Sequence, residues 1–359
     1  MGSKRIQMEP THVIMTPNQV LAVNTSLIYA WQFFNPKNLI GMRSALTPLA
    51  SSHYEGSERL CHIDQTSTTD ESLGGSGGVG QGAGSKGAVN WDQHIRNASN
   101  DPICTAAIGG RRQLFVARSS GQIKQYRLPD LWLEDTLKTT DTKPYRLQVN
   151  CDSSLLAVID ESGLLTLHPV KGENGESVAM DRKQLSSFLR KDVWDVKFAE
   201  ESPQMFAIME KTRMFIFDGL QPEPPVHTST FLCQFNNLEV FGVLLDELVA
   251  LADQPSTDCL LRVPVKILRD CETLFDQEGP IKALEFIEAN PHPRLKRLLS
   301  ERCLEQQNLD LAELGFVQCQ NYAGIQFVKR LRNIQSKVIR KVCLWLLDIQ
   351  LMSKRFSVY

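Results

Sequence analysis

The stretch DVWDVKFAEESPQMFAIMEKTRMFIFD, residues Asp192–Asp218, contains a clear pattern of short β-strands. Apolar and charged residues alternate from Trp194 to Phe198, as they do in a half-buried β-strand. Two almost wholly apolar runs follow, Met205–Met209 and Met214–Phe217, and the polar residues between them suit a tight hairpin turn. Strands that are apolar on both faces are typical of packed sheets. The stretch therefore predicts three short antiparallel strands, and it contains no group of residues equipped for chemistry.

The same unit of three strands occurs twice more upstream. Its predicted strands are Ile103–Ile108, Gln113–Arg118 and Gln122–Leu128 in one copy, and Tyr145–Val149, Leu155–Ile159 and Leu164–Pro169 in the next. The copies begin near residues 102, 144 and 193. A repeat of roughly 40 to 50 residues, built from three or four short strands, is typical of a β-propeller blade.

Strand patterns also occur before and after these three units. The earlier predicted strands are His12–Met15, Gln19–Val23, Leu27–Phe33 and Glu58–Asp64. The later strand-like runs, Thr230–Leu248 and Cys259–Leu268, could form the last blade. The sequence thus predicts a β-propeller over residues 1–268.

A glycine-rich segment interrupts the strand pattern between Thr66 and Asn90. Its run Gly74–Gly87 lacks the Gly-Lys-Ser/Thr order of a phosphate-binding loop, and no strand-then-helix context surrounds it. Its composition is that of a flexible, low-complexity segment. We therefore expect a disordered Gly/Ser-rich insertion at about residues 65–100.

The hydrophobic period changes near Arg269 to the spacing of amphipathic helices. The two prolines in Asn290–Pro293 are expected to end one helix and start another. Leu309–Cys319 and Tyr322–Ile334 supply two more amphipathic segments. The pattern predicts four short helices arranged as hairpins, the start of an α-solenoid over residues 269–340.

The composition is ordinary for a soluble globular protein. The 359-residue chain is 42% hydrophobic and 22% charged, with a formal net charge of -2, which gives no general reason to expect nucleic acid as a partner. None of the nine cysteines forms a Cys-x-x-Cys pair, so we expect mostly buried, reduced thiols in a cytosolic setting. No secretory signal follows Met1, and the apolar run Val342–Leu347 is too short to span a bilayer.

Two groups of residues could be imagined as chemical sites. Cys61 and His62 are neighbours, but no second Cys/His pair lies at metal-ligand spacing. Asp192 and Asp195 flank Trp194, but a separation of three residues does not place two side chains on one face of a regular strand. We expect these acids to be solvated and close to a turn. The sequence predicts no catalytic, cofactor-binding or metal-binding residues.

Two further groups could bind a partner. His292 lies between two prolines, which favours a rigid corner between helices over a recognition residue. The basic residues of Lys329–Arg332 and Arg340–Lys341 have no aromatic residues interleaved as nucleic-acid-binding segments do. A solvated helix face or a surface for an acidic protein partner is therefore expected there.

The blade units and the helical junction together resemble the WD-repeat protein 35 family, a WD-repeat subunit of intraflagellar transport complex A. The resemblance extends from about Glu9 to about Ile339. It rests on Glu9–Val13, Tyr29–Gln32, Ser120–Ile123, Tyr126–Pro129, Arg190–Asp195, Met209–Met214, Val243–Glu247, Ile287–Leu295 and Gly324–Leu331.

The resemblance implies that the chain is a fragment. Its β-propeller is then WD-repeat-like and incomplete, with the later blades of a second propeller, and the first helices of a tetratricopeptide-like solenoid follow. Residues 341–359 no longer follow the family and are expected to form a divergent C-terminal end. It implies a non-enzymatic scaffold or adaptor in retrograde intraciliary transport, cilium assembly and delivery of membrane proteins to cilia. The implied partners are other subunits of complex A and ciliary membrane-protein cargo or adaptors, with no nucleic acid. The implied locations are the cytoplasm and the cilium, at the axoneme and basal body.

Two other functions remain open at this point. A coatomer-like vesicle coat or trafficking scaffold shares the plan of a propeller followed by a solenoid. A propeller hydrolase with carboxylates in its central channel is a more distant alternative.

Overall fold

A computed structural model describes residues 5–33, 57–64, 99–110, 112–139, 142–171, 182–250, 256–336, 338–340 and 342. The chain forms two compact units. The first consists of Met1–Gln234 and Gly242–Leu260, and the second of Phe235–Phe241 and Leu261–Tyr359. Almost all of the predicted glycine-rich insertion lies outside the described residues, and so does the predicted divergent end except for Val342.

The strands form five antiparallel sheets that follow one another along the chain. The first sheet contains β1 (His12–Met15), β2 (Gln19–Val23), β3 (Leu27–Gln32) and β4 (Ser57–His62). The second contains β5 (Ile103–Gly109), β6 (Gln113–Arg118), β7 (Gln122–Arg127) and β8 (Trp132–Lys138). The third contains β9 (Pro144–Val149), β10 (Leu155–Asp160), β11 (Leu165–Pro169) and β12 (Leu189–Arg190).

The fourth sheet contains β13 (Val193–Phe198), β14 (Met205–Glu210), β15 (Arg213–Asp218), β16 (Gln221–Pro222) and β17 (Val226–His227). The last contains β18 (Thr230–Asn236), β19 (Glu239–Leu244) and β20 (Leu260–Pro264). Strands that are neighbours in a sheet are neighbours in sequence, except that β17 pairs with β15. The first strand of each of the first four sheets contacts the first strand of the next, in the order β1, β5, β9 and β13. These are therefore the inner strands of successive blades. The predicted propeller blades are confirmed.

Apolar side chains between successive sheets form the cores of the first unit. The stretch Asp192–Asp218 contributes Phe206 and Phe217, whose rings stack with centroids 4.8 Å apart. The ring of Phe188 meets both of them edge-on. Burying a phenylalanine ring stabilises a fold by about 2–3 kcal/mol, which makes this cluster a main contact between the third and fourth sheets.

The structure adds elements that the three-strand pattern did not predict. β8 begins at Trp132 and alternates between exposed and half-buried residues, because it lies at the edge of its sheet. The short helix α1 (Arg182–Ser187) precedes β12. The prediction of strand structure as far as Leu248 is wrong, since β19 ends at Leu244 and α2 (Leu245–Ala250) follows. Asp246 and Glu247 lie in the first turn of α2, where acidic residues favour a helix.

The second unit contains five main helices in the described part of the chain. They are α3 (Lys266–Glu278), α4 (Pro280–Ala289), α5 (Pro293–Glu305), α6 (Leu309–Gln318) and α7 (Tyr322–Asn333). The predicted count of four is wrong because Gly279 and Pro280 divide the first helical segment. Gly279 has φ +89°, a conformation that favours glycine, and Pro280 starts the next helix. The first of these helices begins at Lys266, three residues before the predicted change of period.

Candidate functional site

The Cys61–His62 pair lies at the end of β4 and has a structural role there. His62 is 5% exposed, and its Nδ1 accepts a hydrogen bond from the backbone N–H of Asp64 at 3.3 Å. Among the described residues, no group of three or more His, Cys, Asp or Glu side chains could hold a metal ion. All eight cysteines in this part of the chain are free, but only Cys259, Cys271 and Cys303 are buried, so the expectation that most are buried is wrong.

Asp195 is fully buried, which corrects the prediction of a solvated acid. The pairing of β13 with β14 shifts between Val193 and Asp195, so that Trp194 is an extra residue, a β-bulge. A bulge changes which side chains point inward, and the rule of strict alternation therefore fails here. Asp192 is exposed as expected, and its carboxylate lies 3.1 Å from Nζ of Lys211.

The carboxylate of Asp195 joins the first strands of three consecutive sheets. Its Oδ1 lies 3.0 Å from Nη1 of Arg146 on β9. It also accepts backbone hydrogen bonds from Val196 at 2.8 Å and from Leu232 on β18 at 2.9 Å. Burial raises the pKa of Asp195, while the Arg146 guanidinium and the two backbone N–H groups oppose that rise. The bonds occupy both carboxylate oxygens, so the arrangement is suited to holding strands together.

The same type of bulge occurs at the second residue of two other inner strands. Pairing shifts around Cys104 in β5 and around Tyr145 in β9, as it does around Trp194 in β13. Bulges re-aim side chains, so each of these residues leaves the regular alternation of its strand. These bulges could not be predicted from the sequence, because a bulge has no simple signature in the hydrophobic period.

Aromatic residues are grouped at one end of these inner strands. The third residues of β9, β13 and β18 are bonded to one another through Asp195, so the second residues lie at the same end. We define the rim cluster as Tyr145, Arg146, Trp194 and Phe231. The Arg146 guanidinium carbon lies 5.4 Å from the centre of the Phe231 ring, and Trp194 donates its indole N–H to the Lys211 carbonyl at 3.0 Å. Tyr145 is 60% exposed and Phe231 is 41% exposed.

His292 caps a helix, which agrees with its interpretation as a corner residue. Its Nδ1 accepts the backbone N–H of Arg294 at 3.1 Å at the start of α5. The Arg294 guanidinium is itself buried, with Glu301 at 3.3 Å and Glu239 at 3.9 Å. These contacts orient the turn between α4 and α5.

The basic segment on α7 is partly neutralised by α6. Arg332 Nη2 lies 2.8 Å from Asp310 Oδ1 and 2.9 Å from Glu313 Oε2, whereas Lys329 and Arg330 are exposed. Large apolar side chains are exposed close to these ion pairs. We define the α6–α7 surface as Leu314, Val317 and Tyr322, which are 41%, 53% and 73% exposed. No helix in the described ranges is long and apolar enough to cross a membrane.

Comparisons with known proteins agree with this architecture. Residues 1–263 match a family model described as the WDR35 second beta-propeller. WD repeat-containing protein 35 of Rattus norvegicus and that of Homo sapiens are each 37% identical to this chain over 342 residues, which is 94% of this chain. The chain spans 27% of the length of these curated relatives.

Solved structures also align with the chain. The structure of KlHsv2 with loop 6CD replaced by a Gly-Ser linker aligns with a TM-score of 0.40 and 9% sequence identity, covering 68% of this chain and 65% of that chain. The family model covers well over half of the sequence and includes all five sheets except the end of β20. The chain therefore belongs to the WD-repeat protein 35 family, and its sheets are those of the family's second propeller.

Proposed function

We propose that this protein is a non-enzymatic scaffold or adaptor subunit of intraflagellar transport complex A. Its proposed roles are retrograde intraciliary transport, cilium assembly and the delivery of membrane proteins to cilia. The observation that supports this most is the extent of the similarity to WD repeat-containing protein 35, which covers 94% of the chain and thus both the sheets and the helices. The proposed locations are the cytoplasm and the ciliary axoneme and basal body.

The geometry of the polar side chains supports a scaffold over an enzyme. Catalysis needs a nucleophile, an acid and base, or a metal set that faces a substrate. The buried carboxylate of Asp195 is instead bonded to Arg146 and to backbone N–H groups. We propose that the chain has no catalytic, cofactor or metal site. The domain limits predicted from the sequence, 1–268 and 269–340, belong to the same proposal.

The α6–α7 surface is the proposed contact with other subunits of complex A. Exposed apolar side chains that are grouped together are typical of interaction surfaces, whereas scattered ones need no explanation. Leu314 and Val317 lie one helical turn apart on α6, and Tyr322 begins α7 just beyond them. The acids of this region are paired with Arg332, so the apolar residues dominate what a partner would contact.

Affinity purification from ciliated cells tests the proposal. The tagged chain is compared with the double variant Leu314→Glu, Val317→Glu, and with Val249→Glu as a control at an exposed apolar residue of the first unit. We expect complex A subunits to be recovered with the original chain and with the control, and to be lost with the double variant.

One result would contradict this function, and another would contradict only the contact surface assigned to it. One is recovery of vesicle-coat subunits in place of complex A, with the chain on Golgi or endosomal vesicles and none at cilia. The other is equal recovery of complex A with the double variant, which would exclude the α6–α7 surface. A thermal melt of each purified variant separates loss of binding from loss of folding.

A further inference from the structure

The rim cluster lies where a β-bulge recurs at the same position of consecutive inner strands. A bulge at the second residue of β5, β9 and β13 redirects one side chain in each blade. Aromatic residues occupy this second position on three neighbouring inner strands, at Tyr145, Trp194 and Phe231. Tyrosine, tryptophan and arginine are the residues that most often dominate protein–protein binding energy. A structural role alone does not require large aromatic residues that are partly exposed to solvent.

Two of the three rings of the cluster, those of Phe231 and Trp194, are held in place before any partner arrives. Phe231 lies beneath the Arg146 guanidinium, which Asp195 fixes through the ion pair. The indole of Trp194 is fixed by its hydrogen bond to the carbonyl of Lys211. Side chains that are already ordered lose little conformational entropy on binding, so the surface is preorganised for a specific contact.

The charges beside Trp194 favour an acidic partner, whereas the exposed acids Asp246 and Glu247 lie at the start of α2, on the Phe231 side of the cluster. The exposed anions Glu161 and Asp192 are each paired, with Lys143 and Lys211 respectively. Two other exposed cations have no carboxylate partner within the described part of the chain. They are Lys191, just before β13, and Arg213, which follows the turn that accepts the Trp194 hydrogen bond.

We infer that the rim cluster binds an acidic peptide segment of a protein partner, with an aromatic or aliphatic anchor side chain against the rings and carboxylates on Lys191 and Arg213. A lipid surface would need aromatic side chains that extend freely into the bilayer interface. Trp194 and Phe231 are bound to the protein's own groups, which suits a peptide lying across them. The inference deepens the proposed adaptor function by naming a class of partner, and its test needs no complex A subunit.

Selection from a random-peptide display library tests the inference with the full 359-residue chain. The variant Tyr145→Ala, Lys191→Glu, Arg213→Glu changes only exposed side chains, so it is expected to fold. The matched control Trp132→Ala, Lys171→Glu removes an exposed aromatic and an exposed cation elsewhere in the first unit. Selected peptides are synthesised, and their affinities are measured by fluorescence anisotropy. Co-sedimentation with phosphatidylserine vesicles is measured in parallel.

We expect enriched peptides with an apolar anchor beside Asp or Glu residues. They should bind the original chain and the control equally, and the rim variant about tenfold or more weakly. Enrichment without acidic residues, equal binding to the rim variant, or no enrichment would overturn the inference. Vesicle binding that the rim variant loses, without selection of acidic peptides, would assign the surface to a membrane instead. Complex A recovery in the purification described above is independent of each of these outcomes.

Discussion

Arg146 on β9 and Asp195 on β13 form an ion pair with 3.0 Å between Nη1 and Oδ1, and the carboxylate is wholly buried. The same carboxylate accepts the backbone N–H of Leu232 on β18, so one side chain connects three consecutive inner strands. The pair exists because the bulge at Trp194 turns Asp195 inward. A residue that looked like a surface acid is thus a contact between blades.

Asp195→Ala should destabilise the first unit by about 3 kcal/mol, because it leaves the Arg146 charge and the Leu232 N–H without their partner. Urea unfolding followed by tryptophan fluorescence measures the loss. Asp192→Ala is the matched control, since the Asp192–Lys211 pair is exposed and should contribute less than about 1 kcal/mol. Equal losses from the two substitutions would contradict the assigned role of Asp195.

Asp160 should make stability depend on pH. Burial alone would raise the pKa of Asp160, but hydrogen bonds from Ser162, Thr142 and Leu164 outweigh it and lower the pKa below its ordinary 3.8. Because the pKa is lower in the folded state, the carboxylate stabilises the fold above pH 3.8, and this contribution is lost as the pH falls through the folded pKa.

The measurement for Asp160 compares the original chain with Asp160→Asn. Unfolding midpoints in urea at several pH values should show the variant less stable by about 1–2 kcal/mol near pH 7. The difference in stability between the two proteins should become smaller once the pH falls below the ordinary pKa of an aspartate. A difference in stability that stays constant over the whole pH range would show that the charge of Asp160 contributes nothing to the free energy of unfolding.

Gly315→Ala should destabilise the packing of α5 against α6. A Cβ at residue 315 would lie 2.2 Å from Oγ of Ser300 and 3.2 Å from the carbonyl oxygen of Lys296. Overpacking of this kind costs about 1–3 kcal/mol. Adding Ser300→Ala removes the closest atom, so the double variant should recover part of the loss in a thermal melt. A double variant with no recovery would contradict the close helix contact.

Thiol labelling should separate the cysteines by burial. Cys151 and Cys233 are exposed, whereas burial raises the pKa of both Cys271 and Cys303 to about 11. The thiolate is the reactive form, so the two buried thiols should react with iodoacetamide only after unfolding. Peptide mass spectrometry assigns the label to each residue. Fast native labelling of Cys303 would contradict the packing of α5.

The blade repeat could be predicted from the sequence because its strands are short, apolar and regularly spaced. Ile103–Ile108 and Gln113–Arg118 were found within one residue of their observed ends. Edge strands such as β8 were missed because their half-exposed residues have no strong hydrophobic signal. The break at Gly279–Pro280 was missed because apolar residues continue at helical spacing on both sides of it.

The rim cluster and the role of Asp195 could not be predicted from hydrophobic period. Strict alternation assigns side chains to faces, and one extra residue at Trp194 reverses that assignment for Asp195. The partner of Asp195, Arg146, lies 49 residues earlier in the chain, so no local pattern connects the two. Contacts of this kind depend on how the blades pack against one another. No short segment of the sequence shows that packing.

Cross-linking mass spectrometry of complex A purified with the tagged chain tests whether the chain is a complex A scaffold. Lys329 on α7 is exposed beside the α6–α7 surface, and we predict cross-links from it to another complex A subunit. The Leu314→Glu, Val317→Glu variant should lose them. A chain that is recovered alone, or that cross-links through Lys329 only to itself or to vesicle-coat subunits, would contradict the assignment as a complex A scaffold.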